Sequence, residues 1–306
     1  MSDVERFRDV GRRLRNWNRW GPDDELGTLN LITPQVVVAA AGLVRTGRIF
    51  DLGIPFGAGG PQPGGARINP VHLMRDTGAG QVYPGGMHFA DDYVFMPLQA
   101  ASQWDALSHV FYDGRLYNGY PASDVGPRGA GKLAIDKFGK GVAGRGVLLD
   151  IARLKGVDHL DRGYAITPAD LDEASDVQGV RVGSGDILLV RTGWRRVFTT
   201  TGDAAAFMNG EPGIGLACAQ WLYDRDVAAL CADNWAIEVL PGEGDEKFAV
   251  HCVLIRDMGM PLGEILDFEE LAADCATDGI YEFLFTGPPI KFVGAVGSPV
   301  NPLAIK

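Results

Sequence analysis

The sequence predicts an α/β fold: one domain over residues 1–306, built on a sheet of mixed strand direction. Apolar runs of strand length alternate along the chain with helical segments that carry recognisable caps, the pattern of strands interleaved with helices. Several connections are too short to hold a parallel crossover, so some strands must run antiparallel. No internal repeat, low-complexity tract or linker divides the chain.

Taken in order, residues 3–15 read as a polar helix, and WGPDDELGTLNLIT, broken by Pro22, Gly27 and Asn30, as a loop. Thr33 is a helix cap with Pro34 at the first helical position, and that helix is expected to run to Gly47. Residues 48–55 read as a strand. The Gly- and Pro-rich residues 57–70 form a loop that matches no phosphate-binding pattern and suits an adaptable cover over a site. Short strands at 71–74 and 93–96 flank GGMHFADD. Further strands are expected at 147–150, 187–191 and over VAALCADN, with helices from Thr167-Pro168, over 216–225 and over 267–278. Residues 246–256 read as mostly helical, and the last 25 alternate strand and turn.

Composition narrows the function. A net charge of -11 with pI near 4.9 argues against a nucleic-acid surface, which would need a basic stripe. The four cysteines, Cys218, Cys231, Cys252 and Cys275, lie outside any CxxC pair, and the apolar surroundings of Cys218, Cys231 and Cys252 suit reduced core thiols. The charged N-terminus lacks an apolar signal core, and no run is long and apolar enough for a membrane span, so the expected setting is the cytoplasm.

The chemistry concentrates in Met96 to Asn118, MPLQAASQWDALSHVFYDGRLYN. Gln99, Gln103, Asp105 and His109 fall within eleven residues. Asp105 is a good ligand for a hard cation, the glutamine oxygens are weaker ones, and His109 can bind a metal or move a proton. The bland alternative makes the glutamines backbone partners and Asp105 a helix cap. Downstream, HCVLIRDMGMPLGEILDFEEL places His251 and Glu264 around a Gly/Pro turn able to bring them together; otherwise His251 is a core histidine and Glu264 a cap. His88, among glycines and acids, is a candidate pocket residue or replacement ligand, against the reading of an exposed loop histidine. Trp104 and Tyr112, with Phe111 and Trp235, are candidates for an aromatic wall. Asn234 follows a buried strand, where α/β folds place site residues, although Asp-Asn also makes plain turns.

The stretch QAASQWDALSH resembles the HxGTHxDxPxH hallmark of the cyclase family of metal-dependent hydrolases, which includes bacterial kynurenine formamidase and isatin hydrolase. WGPDDELGTLN, GDILLVRTGW, CADN and SPVNPLAI match in the family's order, so the resemblance covers nearly the whole chain. It implies a swivelling β/β/α sandwich, dimeric or tetrameric. Asp105 then stands where the family has a metal-bridging aspartate, His109 where it has its proton-shuttling histidine, and His251 and Glu264 at the later metal-site pair. Gln99 and Gln103 replace two ligand histidines.

The expected function is hydrolysis of a small-molecule amide, cyclic amide or lactone carbonyl. His109 and Glu264 are the catalytic candidates, Gln99, Gln103, Asp105 and His251 the ligands of a manganese, zinc or magnesium ion, and His88, Trp104, Tyr112 and Asn234 the substrate contacts. A metal-free cyclase or lyase using His109 as acid and base, and a non-catalytic small-molecule binding protein, are the alternatives.

Overall fold

The computed structural model describes residues 3–80, 82–139, 141–244 and 247–306. Its principal elements are α1 (Asp3–Arg13), α2 (Pro34–Ala41), β1 (Ile49–Asp51), β2 (Val71–Thr77), β3 (Ala90–Phe95), β4 (Gln103–Asp105), β5 (Ala143–Asp150), α3 (Pro168–Gln178), β6 (Ile187–Arg191), α4 (Cys218–Asp224), β7 (Ala229–Ala232), α5 (Ala249–His251), β8 (Leu262–Glu264), α6 (Glu269–Asp278), β9 (Glu282–Thr286), β10 (Gly297–Pro299) and β11 (Leu303–Ile305).

Among the described residues nine strands make one sheet in the order β1-β11-β9-β5-β6-β7-β8-β4-β10. The centre, β5 to β8, is parallel, and every other pairing is antiparallel. The fold is therefore mixed α/β, as expected. Every residue of β6 and β7 is buried, which is why ILLVR and ALCA read as continuous rather than alternating apolar runs. α3 begins with a reciprocal cap: the Thr167 side chain accepts from Asp170 N while Asp170 accepts from Thr167 N.

Four expectations about local structure need correction. α2 is capped by Thr33 but stops at Ala41, well before Gly47. The strand expected over 48–55 shrinks to three residues, because Asp51 turns the chain by accepting from Gly53 N at 2.9 Å. Asp105 caps no helix, the alternative role open to it: it ends β4, which gives way to turns, with His109 N bonded to Ala106 O. The helix carrying His251 starts at Ala249 and widens at once into a π-helix, Cys252–Met258; Glu246, its expected start, lies outside the described residues.

β2 and β3 form a two-stranded ribbon apart from the main sheet, nearly all of it exposed. Val71 pairs with Phe95 and Leu73 with Tyr93, so these four apolar side chains share one face. Among the described residues nineteen large apolar side chains are exposed, and nine of them lie from Val71 to Phe95. No described helix is long and apolar enough to cross a membrane.

Candidate active site

The site starts from one strand register. β4 pairs antiparallel with β8, setting Gln103 opposite Glu264 and Asp105 opposite Leu262. Side chains alternate along a strand, so Gln103, Asp105 and Glu264 emerge on one face and Trp104 on the other. Trp104 is fully buried there, with Nε1 donating to Gly287 O at 2.7 Å and its ring edge-on to Phe285. Gly263 makes room for it: a Cβ at that position would lie 3.0 Å from the Trp104 ring and 2.7 Å from Cys231 Sγ.

His251 arrives from α5. Its Nδ1–H donates to Glu238 Oε1 at 2.5 Å, and Glu238 also accepts the His251 and Val250 backbone N–H groups. That leaves Nε2 3.0 Å from Glu264 Oε1 and 3.9 Å from Asp105 Oδ2. Gln103 Nε2 donates to Glu264 Oε2 at 2.5 Å. His109 Nε2 stands 3.7 Å from Asp105 Oδ2. Three non-glycine residues with left-handed backbones flank these groups: Ile237 beside Glu238, Phe248 before α5 and Ile265 beside Glu264. A β-branched residue at positive φ is strained, and such strain gathers at functional sites.

Burial tunes the charges. It pushes Asp105 up to about 6, against the opposing pull of His109. It holds His109 below the ordinary histidine value, so that ring is neutral at pH 7. Burial opposes the charge on His251 as well, but its bonds to Glu238 and Glu264 outweigh that and raise it well above the ordinary value.

Asp105, His109, His251 and Glu264 form the floor of a cavity of about 360 Å³, whose lining is completed by Val110, Met208, Trp235, Ala236 and Phe248 and by Gln62, Gly64, Ala66 and Arg67 of the 57–70 loop. Asp105, His251 and Glu264 offer ligand atoms within 4.8 Å of one another, a candidate metal triad. Both Asp105 oxygens and Gln103 Oε1 are buried without a hydrogen-bond donor. Buried acceptors left without donors are costly, and a cation among them removes that cost. Glu238 holds Nδ1 and so turns Nε2 towards Glu264 and Asp105, the usual support behind a metal-bound histidine. The donor set therefore fits a divalent ion.

The remaining sequence candidates lie elsewhere. Gln99 packs over Gly297, where a Cβ would sit 2.5 Å from its Nε2, and lies outside the cavity lining. His88 is exposed on the ribbon, its Nδ1 donating to Gly78 O; a two-stranded arm carries it off the body. Trp104 faces the core because it is one residue out of phase with Asp105. Tyr112 bonds Asp257 Oδ2 at 2.6 Å in the packing of α1 against the π-helix. Asn234 acts through the backbone, donating to Pro212 O and accepting from Ile237 N. With Glu211, which accepts from Trp235 N and Ala236 N, it holds the loop that forms one cavity wall. Glu211, Glu238 and Arg67 escape sequence reasoning. The acid inside the apolar run AIEVL was the one available sign of Glu238.

The sequence profile of the putative cyclase family matches residues 50–239. The chain belongs to that family. Among solved structures, one described as a novel cyclase is 43% identical, covers 95% of this chain and 99% of its own, and superposes with a TM-score of 0.89. Isatin hydrolase A from Ralstonia solanacearum is 19% identical over 90% of this chain and 98% of its own, with a TM-score of 0.64. A protein from Bacillus stearothermophilus described as a predicted metal-dependent hydrolase is 16% identical over 85% of this chain and 98% of its own, with a TM-score of 0.54. At those identities the last two share the fold with this cyclase-family chain. No functionally curated protein matches it.

Proposed function

We propose that this cyclase-family chain is a single-domain hydrolase of a small-molecule amide, cyclic amide or lactone, assisted by a divalent metal and using His109 as proton carrier. The observation that carries the reading is the approach of Asp105, His251 and Glu264 to within 4.8 Å of one another, with His109 3.7 Å from Asp105.

Asp105, Glu264, His251 Nε2 and Gln103 Oε1 would hold the ion. Three oxygen donors and one imidazole suit manganese or zinc, and magnesium less well. Such an ion supplies polarisation of the substrate carbonyl and acidification of water. The chain's own residues do the rest. The neutral His109 ring takes the proton from the attacking water and delivers it to the departing nitrogen or oxygen. Gln103 and His251 pin Glu264, so the carboxylate is fixed before substrate arrives. Trp235, Phe248, Met208 and Val110 give a planar substrate an apolar wall.

A metal-free cyclase or lyase is the second reading, and one contact favours it: Gln103 already satisfies Glu264, the carboxylate a metal would engage. The proposal extends to a homodimer or homotetramer, supported by the uncovered apolar face of the β2–β3 ribbon, and to a cytoplasmic setting, supported by four free cysteines.

The test is turnover of a panel of lactams, lactones and N-acyl amines by the wild type and His109→Asn. Loss of about 10²–10⁴-fold in kcat with an unchanged fold is expected for a lost proton carrier. Equal turnover by the two proteins rejects the assignment of His109.

A further inference from the structure

The cavity is not electrically symmetric. Its floor carries Asp105 and Glu264, with Glu238 behind His251. The rest of its lining carries one arginine, Arg67 of the 57–70 loop, whose guanidinium carbon lies 5.5 Å from the centre of the Trp235 ring. Among the described residues no carboxylate pairs with Arg67 and no acceptor bonds its side chain. The charge nonetheless reaches inward far enough to act on both Asp105 and His109.

Arg67 is held in place. Gly64 and Gly65 both have left-handed backbones and turn the chain, and Gly64 bridges to Arg67. Asn69 closes the loop by accepting from Gln62 N and donating to Gln62 O, both at 2.9 Å. Gln62 then ties the loop to the lead-in of β4, donating to Ala100 O at 2.9 Å. A cap anchored to the catalytic strand thus presents a guanidinium over an indole face, at a fixed place relative to Asp105.

We infer that the cavity selects substrates bearing a carboxylate on a planar ring, with the carboxylate paired to Arg67, the ring against Trp235 and the reacting carbonyl directed to the Asp105–His109 floor. The inference rests on the hydrolase reading for the reaction at that floor, but not for the binding itself. A carboxylate is repelled by Asp105 and Glu264, and His251 is already engaged by Glu238 and Glu264; Arg67 is the cation of this lining left to meet it, and the planar fork of arginine matches a carboxylate with two parallel hydrogen bonds. An arginine stacked on an aromatic ring keeps that geometry, whereas lysine offers only a point charge. Arg67 is therefore a specificity residue, distinct from the groups that move protons.

The test compares benzoate with nitrobenzene, which has the same shape and no charge. Neither is hydrolysed, so the result does not depend on whether the chain is a hydrolase. Calorimetry on the intact protein should show benzoate binding about tenfold more tightly, the size of one charge-assisted interaction. Arg67→Gln should bring the two affinities together, and Arg67→Lys should restore part of the preference; circular dichroism confirms the fold of each variant. Equal affinities in the wild type overturn the inference, as does failure of benzoate to bind at millimolar concentration. A benzoate preference that survives Arg67→Gln also overturns it, by placing the anion at a cation on the cavity floor.

Discussion

Gln103 and Glu264 sit directly opposite each other across the β4–β8 register, and the amide of one donates to the carboxylate of the other at 2.5 Å. A glutamine stands where the resemblance places a ligand histidine, and it uses its N–H group to orient the acid while leaving Oε1 without a partner. In the proposed metal site, glutamine at this position therefore alters the donor set without dismantling it.

Replacing Gln103 by His should convert a weak amide donor into an imidazole and tighten binding of zinc more than of magnesium, since imidazole suits the softer ion. Titrating both metals into wild type and Gln103→His by calorimetry checks this. No change in the zinc-to-magnesium preference would mean that Gln103 lies outside the ligand set.

Glu238 should prove as important to stability as any residue of the floor. It accepts two backbone N–H groups and the imidazole N–H of a buried histidine. Glu238→Ala strands those donors, and removing one partner of a buried ion pair costs about 3–5 kcal/mol. Urea denaturation should show a lower midpoint for Glu238→Ala and a smaller loss for Glu238→Gln, which keeps an acceptor.

Gly263→Ala should also destabilise, by about 1–3 kcal/mol for overpacking a filled core. Its Cβ would meet Cys231 Sγ at 2.7 Å and the Trp104 ring at 3.0 Å. Because Trp104 lies between Gln103 and Asp105, the shift should reach the site. Activity should therefore fall even where the protein stays folded at the assay temperature.

Asp233 gives a pH dependence with a definite sign. Burial pushes it up to about 6, against the pull of Arg191 and the donors of Thr192 and Gly193. Its folded value lies above its unfolded one, so the folded state holds the proton more tightly. The associated stability is fully present below pH ~4 and is lost as pH rises through about 6. The gap between about 6 and the ordinary aspartate value corresponds to about 3 kcal/mol. Unfolding free energies measured across this window should lose that component of slope in Asp233→Asn. An identical slope in the variant would contradict the account.

The ribbon predicts self-association. Phe95→Lys with Leu73→Lys places charge on its apolar face without touching the cavity. Light scattering should find a smaller species for the double variant than for the wild type. A monomeric wild type would leave that face with another role.

What the sequence made legible follows from chain distance. Gln103, Asp105 and His109 are close in sequence, and their order matched a family pattern, so their meeting place could be read. Trp104 was misjudged for a strand reason: adjacent residues point to opposite faces, so nearness in sequence to Asp105 sent it to the core. His88 drew attention by its neighbours, but a two-stranded ribbon carries it away from the cavity. Glu211, Glu238 and Arg67 reach the site from three separate loops, brought together only by the crossovers of the parallel sheet and the fold of the cap. No local pattern marks such residues. The central strands, by contrast, were plain as short apolar runs bounded by Gly and Asp, because burial on both faces demands them.

The most direct test of the central claim is the divalent metal content of the wild type and Asp105→Asn, measured on gel-filtered protein alongside lactam or lactone turnover before and after chelation. The account predicts one ion per chain in the wild type, little in the variant, and turnover that is lost on chelation and restored by manganese or zinc. Metal-free wild-type protein with full turnover, indifferent to chelator, would contradict it and leave His109 acid–base chemistry as the reading to pursue.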